Sequence, residues 1–358
     1  MKAPVCQART VERSPMTKAP GSPRKERPRF PTAELKRQLS YFDATAPDRT
    51  TFRGVAYRFA ERAANLAPAI ADKAERYFRR DGPNAITWHQ HSNHMLSSQS
   101  CCLNFLMPLA EDPTRLSAMV GYALDIDPPE MLEVERGPDG EPWYIGFEWV
   151  GTRDYLNEVR GKGNLQRGAN CTSADAFMRF KTPSGIEGLL VEWKYTESYG
   201  APLRDGSRIK GGDAAPSGGH VTRRARYKDL MFAPNGPLRT DPNLSIDDFF
   251  YEPFYQLLRQ QMLAHQMEKN GDADIVRVLH ISPSGNRKLH AVTSPKFAKL
   301  GAIDAFEFFR SLLAKPDRFV SCTTEVLFGN LLAEAPAGDK WAAYIKERYA
   351  FVTDGISI

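Results

Sequence analysis

Hydrophobic positions in the first third of the chain recur at helical spacing. Apolar residues three or four positions apart run through residues 55–80, and Asp81-Gly82-Pro83 ends the run, which predicts a helix there. A second helix is predicted from about Ser92 to Leu109, and a third over residues 114–124. Residues 32–84 are therefore expected to form an N-terminal helical region.

From about residue 130 the pattern changes to short runs rich in aromatic and β-branched residues, separated by turn residues. The predicted strands are Leu132–Val134, Trp143–Val150, Ser173–Phe180, Gly188–Tyr195, Ile275–Ile281 and Leu289–Val292. The predicted helices in this part are Asp247–Asn270, Ile303–Leu313 and Asp339–Tyr349, and Phe319–Leu327 has a mixed pattern. Because no clean linker divides these elements, we expect one α/β domain with helical additions at its N-terminus.

Composition and charge add a basic tail to this picture. The chain is 42% hydrophobic and 25% charged, as in an ordinary globular protein. Residues 1–40 hold ten basic and three acidic residues, so the +5 of the whole chain leaves −2 for residues 41–358. Residues 1–31, which also contain six prolines, are expected to be disordered. They are either a solubilising tail or an arm that binds phosphates non-specifically.

The remaining composition argues for a soluble protein of the cytoplasm. No apolar run has the roughly 20 residues needed to cross a membrane, and no secretory signal is recognisable. Five scattered cysteines do not form a disulfide framework. His89, His91 and His94 with Cys101 and Cys102 lack the paired spacing of a zinc site.

Two strand-like runs joined by Pro183-Ser184-Gly185 predict a β-hairpin. A loop of two or four residues pairs positions whose numbers sum to 367, which sets Asp175 directly opposite Glu192, whereas a loop of three or five residues would change the register. Lys194 shares the face of Glu192 because side chains alternate along a strand. The apolar run Leu189–Val191 indicates a strand buried on both faces, where charged residues require a partner.

Two carboxylates held close together repel each other unless a cation lies between them. Hard oxygen ligands suit Mg²⁺, so we expect Asp175 and Glu192 to bind this ion, with the carbonyl of Trp193 as a further ligand. Lys194 would stabilise charge on phosphorus or hold an attacking water. These are the parts of a phosphodiesterase, although a charged strand of this kind is more often a solvated face.

At these residues the chain resembles the PD-(D/E)XK nuclease superfamily. Ser173-Ala174-Asp175 stands at the first motif, and Glu192-Trp193-Lys194 reproduces the second. The similarity to a branch of largely uncharacterised restriction-endonuclease-type proteins covers roughly residues 85–330, through the blocks Leu96–Leu109, Phe147-Glu148, Glu192–Glu197 and Tyr255–Gln260. The resemblance implies a nuclease-like domain over residues 85–358, with a mixed central β-sheet flanked by helices. It also implies Mg²⁺-dependent cleavage of DNA, with Mn²⁺ able to substitute.

Residues beside these motifs are candidates to support the site: Gln99, Glu148, Tyr195, Glu197, Gln256, Arg259 and Gln260. Many superfamily members carry an acid where Gln99 stands, so the number of metal ions stays open. Glu148 is a candidate third carboxylate. The last three fall at i, i+3 and i+4 of one helix face, which is either a polar exterior or a surface against phosphates or the active-site lysine.

A basic stretch at about residues 200–228 follows the second motif. Its candidate DNA-backbone contacts are Arg204, Arg208, Lys210, Arg223, Arg224 and Arg226. Simple solubility is the other interpretation of these charges. The predicted function is metal-dependent hydrolysis of DNA, and the alternative is a catalytically silent protein of the same fold that binds nucleic acid or serves as a complex subunit. No Walker or dinucleotide motif is present, so no nucleotide cofactor is expected. Oligomeric state and recognition sequence stay open.

Overall fold

The computed structural model of the protein describes residues 29–45, 54, 57–79, 85–159, 165–169, 171–199, 203 and 219–353. Most of the predicted tail, and the basic residues Arg204, Arg208 and Lys210, lie outside the described residues. The first helix begins at Phe30, two residues inside the predicted tail. No helix in the described ranges is both long enough and apolar enough to cross a membrane.

A mixed sheet forms the centre of the fold. The strands are β1 (Glu130–Leu132), β2 (Glu135–Arg136), β3 (Pro142–Trp143), β4 (Ile145–Trp149), β5 (Ala174–Thr182), β6 (Gly185–Trp193), β7 (Ile275–Ser282) and β8 (Phe319–Thr323). Strands β1, β4 and β6 pair antiparallel with β5, while β7 and β8 continue the sheet in parallel. Strands β2 and β3 form a separate ribbon. The predicted α/β fold with a mixed central sheet is confirmed.

Helices cover both faces of this sheet. They are α1 (Phe30–Thr45), α2 (Ala71–Phe78), α3 (Ser98–Leu106), α4 (Pro113–Leu124), α5 (Gly219–Met231), α6 (Phe254–Lys269), α7 (Pro295–Lys299), α8 (Ala305–Leu312), α9 (Thr324–Ala333) and α10 (Lys340–Arg348). Leu189, Val191 and Trp193 of β6 pack with α2, α3, α4, α9 and α10. Leu190, on the opposite face, packs with α5–α8. A strand covered on both sides is apolar on both sides.

The β5–β6 hairpin has the predicted register. Thr182 pairs with Gly185 across a two-residue loop, and the ladder runs to Ala176 opposite Val191, so paired numbers sum to 367. Gly185 adopts φ +117°, a left-handed conformation that glycine tolerates best, at the point where the chain turns back.

Two helix predictions in the first third are wrong in extent. The described part of residues 55–80, which is 57–79, contains a 3₁₀ turn (Arg62–Asn65) and only the short helix α2, because Pro68 interrupts the run. The helix predicted from Ser92 begins at Ser98, where the Ser97 side chain accepts a hydrogen bond from the Ser100 amide and caps it.

Two predictions in the second half are also corrected. The single helix predicted over residues 247–270 is a 3₁₀ turn (Ile246–Phe249) followed by α6, with the Glu252–Pro253 peptide between them. The segment Leu289–Val292 is not the predicted strand, because its first two residues belong to a 3₁₀ turn over Arg287–His290. The amide of Leu289 donates to the carbonyl of Asn286, so this turn satisfies its polar group locally rather than through a neighbouring strand.

Candidate active site

A row of polar side chains crosses the sheet near the carboxyl end of β6. Glu192 pairs with His280 of β7, which pairs with Ser321 of β8. The next pair along the β5–β6 register sets Asp175 opposite Glu192. Directly paired residues project from one face, and Leu190 and Val278, two residues before Glu192 and His280, pack with α6 and α8. The row therefore lies on the face of the sheet that α6 covers.

Glu192 is the centre of this row and is only 2% exposed. Its Oε1 lies 2.5 Å from Nζ of Lys194, and its Oε2 accepts a 3.0 Å hydrogen bond from Nε2 of Gln260. Gln260 also donates to the carbonyl of Ser173 at 2.7 Å, and thus ties α6 to the start of β5. Both oxygens of the Glu192 carboxylate are therefore held in place.

Lys194 is a cation in this setting. Burial alone would lower the pKa of Lys194, but the carboxylate of Glu192 beside it raises the pKa well above its ordinary value, and Asp175 adds to this effect. The side chain is thus an ammonium ion at neutral pH. It supplies a positive charge and hydrogen-bond donors.

For Asp175, burial and the neighbouring carboxylate both favour the protonated form. Burial raises the pKa of its carboxyl well above the ordinary value, the charge of Glu192 raises it further, and Lys194 opposes both. Its Oδ2 accepts a 2.7 Å hydrogen bond from the amide of Trp193, which fixes the carboxylate against β6. Two carboxyl groups face one ammonium, so the cluster has an excess of negative charge whenever both carboxyl groups are ionised.

The oxygen atoms of this cluster fit a hard divalent cation. Besides the two carboxylates, Oε1 of Gln260 is buried and has no hydrogen-bond partner in the described part of the chain. Within the same ranges, no group of three or more His, Cys, Asp or Glu side chains is placed to hold a metal ion. A site with two protein carboxylates suits Mg²⁺, because this ion keeps several of its waters.

Gln99, Glu148 and His89 form a closed ring of hydrogen bonds beside Asp175. The amide of His89 donates to Oε1 of Gln99 at 3.0 Å, and Nε2 of Gln99 donates to Oε1 of Glu148 at 2.6 Å. Nε2 of His89 lies 3.2 Å from the same glutamate oxygen. The candidates Gln99 and Glu148 thus meet, and the structure adds His89. No sequence motif marks this histidine, since its partners lie 10 and 59 residues away.

An unusual backbone conformation positions Glu148. The residue has φ +50°, in the left-handed region that non-glycine residues rarely adopt. The ring of Trp149, which follows it, stacks on Phe177 with centroids 4.9 Å apart. The ring also passes over Gly146, where a Cβ would lie 3.0 Å from it. Strand alternation does not predict this reversal, and non-glycine left-handed residues cluster at functional sites.

Arg259 does not reach Lys194. Its Nε donates to Oγ1 of Thr172 at 2.9 Å and lies 3.9 Å from Glu158, which also accepts from the hydroxyl of Tyr227. This buried network joins α6 to α5 and to the segment before β5. Gln256 is half-buried, and its backbone amide donates to the Glu252 carboxylate at 3.2 Å.

Tyr195 projects away from the polar row. Its hydroxyl donates to Oε2 of Glu34 at 2.7 Å, and its ring stacks on Phe351 with centroids 5.8 Å apart. Glu197 accepts a 2.7 Å hydrogen bond from the amide of Tyr195, and Asn286 donates to the carbonyls of both residues. These two candidates hold the chain that follows β6, and Tyr195 does so from the opposite side of the sheet.

The arginines of α5 are in contact with other protein groups. Arg224 forms two hydrogen bonds of 2.6 and 2.8 Å with Asp247. Arg223 lies over the ring of Tyr255, 5.3 Å from its centroid, and Arg226 lies 5.7 Å from that of Tyr227. At least part of this predicted binding surface therefore serves to attach α5.

Comparison with known proteins gives one family and no individual relative. A family model described as restriction endonuclease associating with ARP matches residues 34–350. The match includes the whole polar row and most of α1. No curated protein and no solved structure matches the chain.

Proposed function

The chain belongs to the family described as restriction endonuclease associating with ARP, and we propose that it is a Mg²⁺-dependent nuclease that hydrolyses phosphodiester bonds in DNA. The observation that carries the proposal is the buried cluster of Asp175, Glu192 and Lys194 at the carboxyl end of β6. A purely structural ion pair needs only one of these two carboxylates. The second one raises the electrostatic cost of the cluster, and a bound cation would remove that cost.

In the proposed site, Asp175 and Glu192 hold the ion, and Gln260 orients the Glu192 carboxylate through its 3.0 Å hydrogen bond. When bound, Mg²⁺ supplies positive charge to phosphate oxygens and makes water more acidic. Glu148 is not assigned to the ion; its Oε1 contacts Gln99 and His89.

Lys194 has the role of an electrostatic group. Its ammonium ion is held at 2.5 Å by Glu192, so it is oriented before a substrate arrives. It would donate a hydrogen bond to a phosphate oxygen, where negative charge accumulates during hydrolysis, or to the attacking water. Loss of one such pre-oriented donor costs about 10²–10³-fold in rate in other enzymes.

The proposal extends to partners and location. The family description names an association with ARP, and we propose ARP as a partner of this chain. We propose that Mn²⁺ can replace Mg²⁺ and that the protein acts in the cytoplasm. Arg226 of α5, together with Arg204, Arg208 and Lys210, would contact the DNA backbone, because arginine and lysine bind phosphates irrespective of sequence.

The decisive experiment compares the purified protein with Lys194→Met on circular and linear DNA in Mg²⁺, in Mn²⁺ and in EDTA. Lys346→Met is the matched control, because Lys346 is an exposed lysine on α10. We expect metal-dependent cleavage by the wild type and the control, and a loss of about 10²-fold or more in Lys194→Met.

A different result would support the silent alternative. If wild type and Lys194→Met bind DNA equally, with and without metal, and neither cuts it, the protein is a binding scaffold. The feature that favours the catalytically silent alternative is Gln99. This residue provides an amide where a carboxylate would add negative charge for a second metal ion.

A further inference from the structure

His89 lies close enough to Asp175 and Lys194 to interact with their charges, and the proposed mechanism gives it no role. Its side chain is 43% exposed, whereas the glutamate that it contacts is buried. Glu148 and Asp175 line one small crevice together with Gln99. His89 therefore contacts a carboxylate that shares this crevice with Asp175.

The imidazole is held on one edge only. Its Nε2 lies 3.2 Å from the Glu148 carboxylate, and the backbone of the same residue is fixed by Gln99. The other ring nitrogen, Nδ1, makes no hydrogen bond within the described ranges. Because Nδ1 and Nε2 lie on different sides of the ring, the hydrogen bond to Glu148 sets which nitrogen is presented to a ligand.

The surrounding charges keep a proton on this ring. Burial lowers the pKa of His89, but the hydrogen bond and negative charge of Glu148 outweigh it, Asp175 raises the pKa further, and Lys194 lowers it; the result is a pKa of about 9. Both Asp175 and Lys194 thus lie near enough to act on His89. A protonated imidazole can donate a proton. The ammonium of Lys194 is a poorer proton donor, because its pairing with Glu192 raises its pKa.

We propose that His89 is the general acid of the reaction and protonates the oxygen that leaves when the phosphodiester is cut. This inference rests on the proposed nuclease function. The oxygen of the attacking water forms a bond to phosphorus, and its proton passes to solvent. The bond between phosphorus and the leaving oxygen breaks with its electron pair on that oxygen, which takes the proton from Nδ1 of His89. Neutral His89 then regains a proton from solvent.

A substrate whose leaving atom needs no proton tests this assignment. Product analysis first identifies which bridging oxygen leaves, and an oligonucleotide with sulfur at that position provides the comparison, because a thiolate departs without protonation. Single-turnover cleavage of both oligonucleotides is measured for wild type, His89→Ala, His89→Gln and His91→Ala. His91 is the control, since it is an exposed histidine of the same segment.

We expect both His89 variants to cut the oxygen substrate about 10²–10⁴-fold more slowly than wild type and to cut the sulfur substrate at nearly the wild-type rate. His91→Ala should match wild type on both substrates. Equal slowing of both substrates in the His89 variants would overturn the proposal and leave His89 a structural role. Wild type that cuts neither substrate in Mg²⁺ or Mn²⁺ would instead refute the nuclease function itself.

Discussion

The replacement Asp175→Asn should stabilise the metal-free protein while it abolishes the proposed activity. Asparagine has nearly the same shape, and its Oδ1 can still accept the 2.7 Å hydrogen bond from the amide of Trp193. The substitution removes a buried carboxyl group whose pKa is raised by burial and by the charge of Glu192. Substitution of a residue that serves chemistry at the expense of stability often makes a protein more stable but less active.

The size of the effect follows from the hairpin geometry. Directly opposed side chains have Cβ atoms about 5 Å apart. At that separation, two like charges repel by about 3 kcal/mol at an effective dielectric constant of about 20. Attraction between Asp175 and Lys194, and uptake of a proton by Asp175, offset part of this. We therefore expect a gain of about 1–2 kcal/mol in the free energy of unfolding, in the range of single stabilising substitutions.

The gain should depend on pH and on metal. A carboxyl whose pKa is raised in the folded state favours folding below its unfolded pKa of about 3.9, and this contribution is lost as the pH rises through the folded value. Asp175→Asn should thus equal wild type near pH 3.5 and exceed it increasingly at higher pH. Mg²⁺ at about ten times its Kd should add about 1.4 kcal/mol to wild type and nothing to the variant.

Thermal and urea unfolding at pH 3.5 to 8, with EDTA or Mg²⁺, measure these differences. Asp229→Asn, at an exposed aspartate of α5, is the control and should change stability by less than about 0.5 kcal/mol. The reasoning is refuted if Asp175→Asn unfolds more easily than wild type at pH 8 in EDTA. Such a result would mean that the aspartate stabilises the fold and needs no cation.

Three further predictions concern His89 beside the site and two buried side chains that bind α1. Glu148→Gln should lower the pKa of His89 from about 9 to 6.5 or below, as followed by histidine NMR, because only burial would then remain as the leading effect. Wild type, unlike this variant, should lose stability as the pH rises from 6.5 through 9. The raised histidine pKa contributes fully to stability below 6.5, and this contribution is lost as the pH rises through 9. Arg348→Met should cost about 3 kcal/mol in urea unfolding, because the buried guanidinium donates to Gln38 of α1, to Asn65 of the 3₁₀ turn and to Tyr344 of α10. Tyr195→Phe should cost about 1–2 kcal/mol in the same assay, because Glu34 then loses a buried donor.

The sequence predicted the central pairing of the site, given the length of one loop. If the loop at Pro183-Ser184 has two or four residues, strand alternation sets Asp175 opposite Glu192 and places Lys194 on their side, and the structure has the two-residue loop. The apolar run Leu189–Val191 was likewise enough to predict a strand covered on both faces. A register that depends on one short turn requires only the length of that turn and no knowledge of the rest of the fold.

The tertiary structure decided what surrounds this pair. His89, Gln99 and Glu148 come from three separate segments, and their ring of hydrogen bonds exists only because the fold brings these segments together. The left-handed backbone at Glu148 breaks the alternation from which a side-chain direction would be predicted. Tyr195 follows Lys194 directly, yet it binds Glu34 on the opposite side of the sheet. Contacts between segments distant in sequence depend on how whole elements pack, and no local pattern of residues encodes them.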